Sequence, residues 1–443
     1  MARTKAELGE GARLADYLSV SVLACVYPAQ RVHEALNAHD CNSQRIRRFP
    51  AAAGVYYAIA LSLYPQASYE AVFSAVAEGL AWAARASPPA PVAKSSISEL
   101  RSRIGAEPLR DLMRTCCVPL AEAAVLPQAF YKGMRVVVTD GSRVELADEA
   151  DIAQTFGRPG SRTGLSGYPQ AQCVVLAECA THAILGAEIG PYRGDEWELC
   201  QVLLGAMEPD MLCLADRGFS GAAQWQQMRA TGAHLLWRAR DNHLLPVHQT
   251  LADGSYLSQI EPTKQAKRRL QISGVPEAAS VVRVIEYQLP GVPQGVQQGA
   301  QDGTKQSPQH YRLITSLLDP QQAPALELAS MYHQRWHIEE VFDELKTHLR
   351  EGRRVLRSKT AALVRQEFYG WVLAHYAVRW LLHQGAAKSG QTDDDLSFTA
   401  HIQLLRREQP RSGAFSPSAA PKAGSVEAGG SERKRQAALR AHA

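Results

Sequence analysis

No Cys-x-x-Cys pair occurs among the eight cysteines (Cys25, Cys41, Cys116, Cys117, Cys173, Cys179, Cys200 and Cys213), and no secretory segment precedes them. The usual zinc-ribbon and redox spacings are thus missing, and the thiols are expected to be reduced, buried and cytosolic. Long apolar runs are missing too. The most apolar stretch, Ala51 to Tyr64, is too short for a confident bilayer span and ends at Pro65, so a membrane protein is not expected. Charge of one sign is scarce: 48 Lys and Arg face 44 Asp and Glu, a net +4. From His401 onward eight Lys/Arg face three Asp/Glu, a balance of +5. The tail carries the whole excess, so overall charge says little for or against a nucleic-acid partner. The H-E-x-x-H motif is absent as well. His333 and His337 are four residues apart, but Gln334 stands where the general base is needed, which argues against a zinc hydrolase.

What is present divides into regions, two or three domains' worth in 443 residues. Residues 1–125 read as a helical N-terminal domain, with periodic segments at Ala12–Val26, Gln30–Leu36, Ala51–Leu63, Tyr69–Arg85 and Ile97–Leu112, the last broken near Gly105–Pro108. The cluster Arg45, Arg47 and Arg48 suits either phosphate contact or a solvated helix lead-in. From Gly133 the pattern changes to strands: Met134–Thr139, Cys173–Ala177, Ile184–Ile189, Met211–Ala215 and Ala233–Trp237, with helices at Asp195–Met207 and Gly221–Thr231. These form the first part of a core, residues 126–239. Residues 240–310 read as a mostly β insertion, with runs at Tyr256–Ile260, Leu270–Ile272 and Val281–Tyr287, a basic cluster (Lys264, Lys267, Arg268, Arg269) and a Gly/Gln/Pro-rich loop at 290–308. The core resumes over 311–390 with a strand at Tyr311–Thr315. A basic segment (Arg350, Arg353, Arg354, Arg357, Lys359) and a long aromatic-rich helix, Ala361–Gln384, suited to core packing, follow. Residues 391–443 are expected to be largely a disordered basic tail.

Two short strands end on acid. Met134–Thr139 stops at Asp140-Gly141-Ser142, and Met211–Ala215 stops at Asp216-Arg217-Gly218. The ends of buried strands are where open α/β sheets keep their chemistry. One Asp there is a common turn former; two at equivalent ends are much less accidental. The third candidate lies in Met331–Arg350, a Pro- and Gly-free stretch of five helical turns. At about 100° per residue, Tyr332, Arg335, Glu339 and Lys346 fall within a stripe about 60° wide. Beside it stand Trp336, Ile338, Val341, Phe342 and Leu345, which place Glu339 at a buried edge between two cations. A surface helix with ordinary charge pairs is the alternative on this stretch alone. Three carboxylates suit Mg²⁺, a hard ion that takes oxygen ligands and keeps several waters. Two such ions can assist in-line phosphoryl displacement.

The motifs TDGS around Asp140, LADRGF around Asp216, and Y-x2-R-x3-E-x6-K at Tyr332, Arg335, Glu339 and Lys346 together resemble a DDE transposase of the bacterial insertion-sequence-four family. The likeness extends through GYPQ at Gly167–Gln170, TGAHLLWR at Thr231–Arg238, DGSY at Asp253–Tyr256 and ELKTHLR-x5-LRSKT at Glu344–Thr360, covering roughly residues 40–385. It implies an α/β protein: an RNase H-like catalytic core with a mostly β insertion, preceded by an all-α N-terminal domain that helps recognise the element's terminal repeats. By the family pattern Asp140, Asp216 and Glu339 bind two Mg²⁺ ions, for which Mn²⁺ can substitute, and Tyr332, Arg335 and Lys346 contact DNA phosphates. A homodimer acting on double-stranded DNA at paired transposon ends, in the bacterial cytoplasm at the nucleoid, is expected. The implied reaction is hydrolytic nicking, then attack by the freed 3′-hydroxyl. Some relatives form a hairpin with a base flipped onto an aromatic residue. No such residue is assigned here, since Trp237 sits in a strand motif equally suited to the core. A nuclease that cuts without joining and an inactive DNA-binding remnant are the competing readings.

Overall fold

The chain enters its main sheet through a short strand, β1 (Phe130–Tyr131), and turns back at Lys132-Gly133, where both residues have positive φ. The β-branched run that follows forms β2 (Met134–Glu145). Val136, Val137 and Val138 on it are completely buried, as a strand covered on both faces requires. The computed structural model describes residues 22–44, 49–83, 92–161, 164–165, 167–261, 279–289 and 309–407. The expectations placed on Arg45, Arg47, Arg48, the 264–269 basic cluster, Leu270–Ile272, the 290–308 loop and the tail beyond residue 407 lie outside those residues.

Six further strands complete the framework: a small hairpin of β3 (Gly160–Ser161) and β4 (Gly164–Leu165), then β5 (Gln170–Glu178), β6 (Ile184–Pro191), β7 (Met211–Ala215) and β8 (His234–Arg238). The spatial order of the core strands is β6-β5-β2-β7-β8, with β2, β7 and β8 parallel and β5 antiparallel to both neighbours. Helices Glu196–Leu203 and Ala222–Ala230 make the crossovers into β7 and β8. This is the RNase H-like arrangement. The expected insertion does not form a sheet of its own. Its strands β9 (Gln249–Thr250), β10 (Tyr256–Ile260) and β11 (Ser280–Leu289) join β12 (Gln309–Thr315), which lies antiparallel to β8, so they extend the same sheet.

One expected boundary is overturned. β2 does not stop at Asp140 but runs on to Glu145, because β5 keeps pairing with it from Asp140↔Val175 to Glu145↔Gln170. Its parallel pairing with β7 ends at Thr139↔Ala215. Asp140 therefore sits where β2 loses one neighbour and keeps the other, so a carboxylate can stand at a gap in a strand that is still held rigidly.

Of the N-terminal helices, Ala51–Leu63, Lys94–Ile104 and Glu107–Cys116 pack on the long helix Ala361–Ser389, and Ala29–Ala38 and Tyr69–Ala83 pack on those three. The closest approach is at Gly370, where an added Cβ would lie 2.6 Å from the Ala58 carbonyl oxygen. The Tyr27 hydroxyl donates to the Leu373 carbonyl at 2.6 Å, and buried Arg101 donates to Gln366 and Ser358 at 2.9 and 3.1 Å. Phe368, Tyr369, Trp371 and Tyr376 are buried, as core packing requires. The basic segment before this helix is largely structural. Arg350 lies over the Trp371 ring at 5.3 Å, Arg353 bonds Gln66, Arg357 bonds the Ala67 carbonyl, and Lys359 pairs with Glu149. All eight cysteines are unpaired thiols.

Candidate active site

The stretch carrying Glu339 is not a uniform α-helix. It runs as α-helix over Ala325–Tyr332, a 3₁₀ turn over His333–Trp336, α-helix over His337–Asp343 and a π segment over Glu344–His348. A 3₁₀ turn winds at about 120° per residue, tighter than the α-helix, and a π segment winds more loosely, so the two departures oppose each other. The polar stripe survives: Tyr332 donates its hydroxyl to the Ala215 carbonyl at 3.3 Å, Arg335 bonds Asp140, and the Lys346 ammonium bonds the Ser142 hydroxyl. All three reach the place where β2 parts from β7, where Asp140 and Asp216 stand.

Arg335 joins two of the acids. One of its nitrogens lies 3.3 Å from Asp140 Oδ2 and another 3.2 Å from Glu339 Oε1. Asp140 Oδ1 also accepts the Gly141 N–H at 2.8 Å, and Asp216 Oδ1 accepts the Gly218 N–H at 2.7 Å. These bonds fix each carboxylate over its own turn. Burial pushes Asp140 up to about 7, Asp216 adds to the rise, and the Gly141 N–H and Arg335 oppose it. Glu339 remains half exposed, with its carboxylate at the rim.

The sequence reading missed a fourth acid. Glu196 opens the crossover helix, capped by Asp195, whose side chain accepts the Trp197 N–H at 2.9 Å. Its carboxylate lies over Gly141: a Cβ added there would meet Oε1 at 1.4 Å. A Cβ added at Gly218 would meet Asp216 Oδ1 at 2.9 Å and Glu196 Oε2 at 3.6 Å. Burial raises the Glu196 carboxyl, and Asp216 raises it further. The one signal in the sequence was the glycine beside each Asp, which leaves room that another side chain fills.

Beside Asp216 a cleft of about 440 Å³ opens, lined by Arg217, Arg238, Tyr311, Tyr332, Arg335 and Trp336. Arg238 lies over the Tyr311 ring at 4.3 Å, and Tyr311 stacks on Tyr287. Trp336 is 61% exposed, whereas Trp237 is fully buried and packs edge-on against Trp225. Trp237 is thus a core residue. Tyr332 is buried apart from its place in the cleft wall, and Lys346 is half-buried. Tyr332 has one proton and would have to exchange its bond to the Ala215 carbonyl to meet phosphate, whereas the Lys346 ammonium has N–H groups beyond the one on Ser142. His333 and His337 do not converge: His333 faces Tyr287, and His337 faces Glu340 and His182.

Partly buried carboxylates crowded together, of which Asp140 and Glu196 are raised by burial and then by Asp216, form an all-oxygen donor set short of positive charge, and a hard divalent cation fits it. On an RNase H-like sheet this defines the class: a phosphoryl-transfer enzyme with a carboxylate centre. Comparison with known proteins gives the family. The Transposase DDE domain family matches residues 131–376, more than half of the chain, and the Insertion element 4 transposase N-terminal family matches residues 17–114. The chain is 25% identical over 319 residues to the transposase InsG for insertion sequence element IS4 of Escherichia coli (strain K12), covering 71% of this chain and 67% of that protein. It is 24% identical over 162 residues to the putative transposase InsZ of the same organism, covering 36% of this chain and about half, 52%, of that relative. A cryo-EM structure of the piggyBac transposase synaptic complex with hairpin DNA aligns over 93% of this chain and 77% of its own, at 11% identity and a TM-score of 0.37, too low to bear on the argument. The chain belongs to the insertion-sequence-four family of DDE transposases, enzymes that use a divalent metal to act on DNA. No helix among the described residues is long and apolar enough to cross a membrane.

Proposed function

We propose that this transposase binds the terminal inverted repeats of its insertion sequence as a homodimer at the nucleoid. There it cuts and rejoins the strands with two Mg²⁺ ions, for which Mn²⁺ can substitute. The observation that carries the reading is the convergence of Asp140, Asp216 and Glu196, with Asp140 raised to about 7 and Arg335 as the counter-charge between Asp140 and Glu339. Asp140, Asp216 and Glu339 would hold the ions, with Glu196 as an additional oxygen donor. When bound, the ions activate the attacking oxygen and stabilise the leaving one.

The remaining work falls to the chain's own side chains. Arg335 and Lys346 neutralise phosphates next to the cut, and Tyr332 gives one a hydrogen bond by exchanging its bond to the Ala215 carbonyl. Arg217 and Arg238 line the cleft along which the backbone would run. The N-terminal helices read the terminal repeats. The reaction is hydrolytic nicking at the element's end, then attack of the freed 3′-hydroxyl on target DNA.

The test is cleavage of labelled duplex carrying the DNA that flanks this gene, with and without Mg²⁺, by wild type and Glu339→Ala. Metal-dependent cuts at a repeat boundary, lost in the variant, are expected, followed by joined products. Binding without any cut under Mg²⁺ or Mn²⁺ would replace the reading by that of an inactive DNA-binding remnant. Cuts that never lead to joining would replace it by that of a nuclease.

A further inference from the structure

Behind the catalytic acids, on the other side of the same helix, lies a second convergence. His182 sits at the tip of the β5–β6 turn with φ of 56°, a left-handed conformation uncommon for a residue with a side chain. Its Nε2 lies 3.0 Å from His337 Nδ1 and 3.3 Å from Glu340 Oε2, and those two atoms are themselves 3.0 Å apart. The turn and the helix are 155 residues apart in the chain, so the meeting is made by the fold.

Proton accounting shows what the three atoms have in common. His182 Nδ1 faces both Glu344 Oε1, at 3.0 Å, and the Arg379 guanidinium, which can only donate, so either tautomer of the ring has a partner at Nδ1 and Nε2 can turn a lone pair toward a cation. Glu340 offers lone pairs as well, and His337 Nδ1 can supply at most one proton to both. Two imidazole nitrogens and a carboxylate oxygen thus converge, and each can present a lone pair to one cation. Tetrahedral zinc with bonds of about 2.0–2.2 Å spaces its ligand atoms about 3.3–3.6 Å apart, so the triangle needs to open by only a few tenths of an ångström.

The surroundings are those of a supported metal ligand. Glu344, buried and held by His375 at 2.8 Å and by Arg379 Nε at 2.9 Å, orients the His182 ring through its far nitrogen. Glu340 is half exposed and His337 partly so, leaving a side open for water as fourth ligand. Two imidazoles and a carboxylate suit zinc or its cobalt substitute, unlike the all-oxygen catalytic acids.

We propose that His182, His337 and Glu340 form a zinc-class site, separate from the catalytic acids, that ties the β5–β6 turn to the helix presenting Glu339. Adjacent residues then divide the work: Glu339 faces Arg335, while Glu340 faces the histidines. The site is a positioning device, and its existence does not depend on the chemistry at Asp140 and Asp216.

The experiment uses the full-length chain, stripped with chelator and titrated with Co²⁺ in excess Mg²⁺ so that Mg²⁺ competes for the oxygen-only acids. Wild type is expected to give the intense visible bands of tetrahedral Co²⁺ at a single equivalent, displaced by Zn²⁺. His182→Asn keeps a residue that tolerates the left-handed turn and should lose the bands, as should Glu340→Gln. Asp216→Asn should keep them. Zn²⁺ should raise the melting temperature of wild type and of Asp216→Asn but not of His182→Asn. Absence of the bands in folded wild type overturns the proposal. So does a spectrum indifferent to His182, or one lost with Asp216. Mg²⁺-dependent DNA cleavage is read separately, so the proposed function can stand when this site fails.

Discussion

Replacing Asp140 by Asn should make the metal-free protein more stable at high pH and not at low pH. The folded Asp140 holds its proton up to about 7, against 3.8 for the ordinary group. Between those values the native state binds the extra proton, so stability falls as pH rises from about 4 to about 7 and stays low above that. At 1.36 kcal/mol per pH unit the full shift amounts to about 4 kcal/mol. The side chain is 22% exposed, which lets solvent relax part of this. Removing the contact with Arg335 also costs up to about 1 kcal/mol, so a net gain of about 2 kcal/mol at pH 8 is the working figure. With unfolding entropy of about 2.1 cal/mol/K per residue, a chain this long gains about 2 °C in melting temperature. The assay is thermal unfolding of wild type and Asp140→Asn in chelator at pH 5 and pH 8. The variant's advantage should appear at pH 8 and vanish at pH 5. Adding Mg²⁺ at pH 8 should then stabilise wild type more than the variant. A variant equally destabilised at both pH values would refute the claim that Asp140 is strained by burial and by its acidic neighbours.

Glu196→Gln keeps the side chain's shape over Gly141 and removes one charge; it should lower DNA cleavage at least tenfold at limiting Mg²⁺ and less at saturating Mg²⁺. An unchanged Mg²⁺ dependence would make Glu196 a bystander. Lys346→Ala should weaken binding to end DNA and flatten its salt dependence by about one phosphate contact; if neither changes in a salt titration, Lys346 serves only to hold Ser142. Glu344→Gln leaves the buried Arg379 without its principal counter-charge and should cost about 3–5 kcal/mol, read by urea unfolding. A loss below 1 kcal/mol would show that the ring of His182, His375 and Arg379 does not depend on that carboxylate.

Which features could be read from the chain follows from where their determinants lie. Met211–Ala215 and Tyr256–Ile260 have the limits their sequences suggest, because polar turn residues stand immediately beside short apolar runs. β2 overran its expected end because β5, and not the local Asp-Gly-Ser, decides how far it stays paired. Tyr256–Ile260 and Val281–Tyr287 of the insertion were legible and the short β9 was not, nor was their union with the core sheet, since edge pairing between β8 and β12 leaves no local pattern. The stripe of Tyr332, Arg335, Glu339 and Lys346 came through because tight and loose turns on either side of Glu339 offset each other. Glu196 and His182 stayed hidden for a different reason. Each gains meaning from a neighbour brought in by the sheet, Gly141 for one and His337 for the other.

The place of Arg335 links the fold to the chemistry. Its guanidinium spans Asp140 and Glu339, so without a cation the protein supplies its own counter-charge to two of the acids it would use. Asp140 and Glu339, if they hold a metal ion, would no longer need that guanidinium, and Arg335 would then be available at the wall of the cleft it lines with Arg217 and Arg238. Metal loading and phosphate binding would then favour each other, since Arg335 cannot serve Asp140 and a phosphate at full strength at once. Coupling of this kind needs no large motion of the backbone. It needs the acids and the arginine on rigid elements, and β2, β7 and the helix presenting Glu339 provide them.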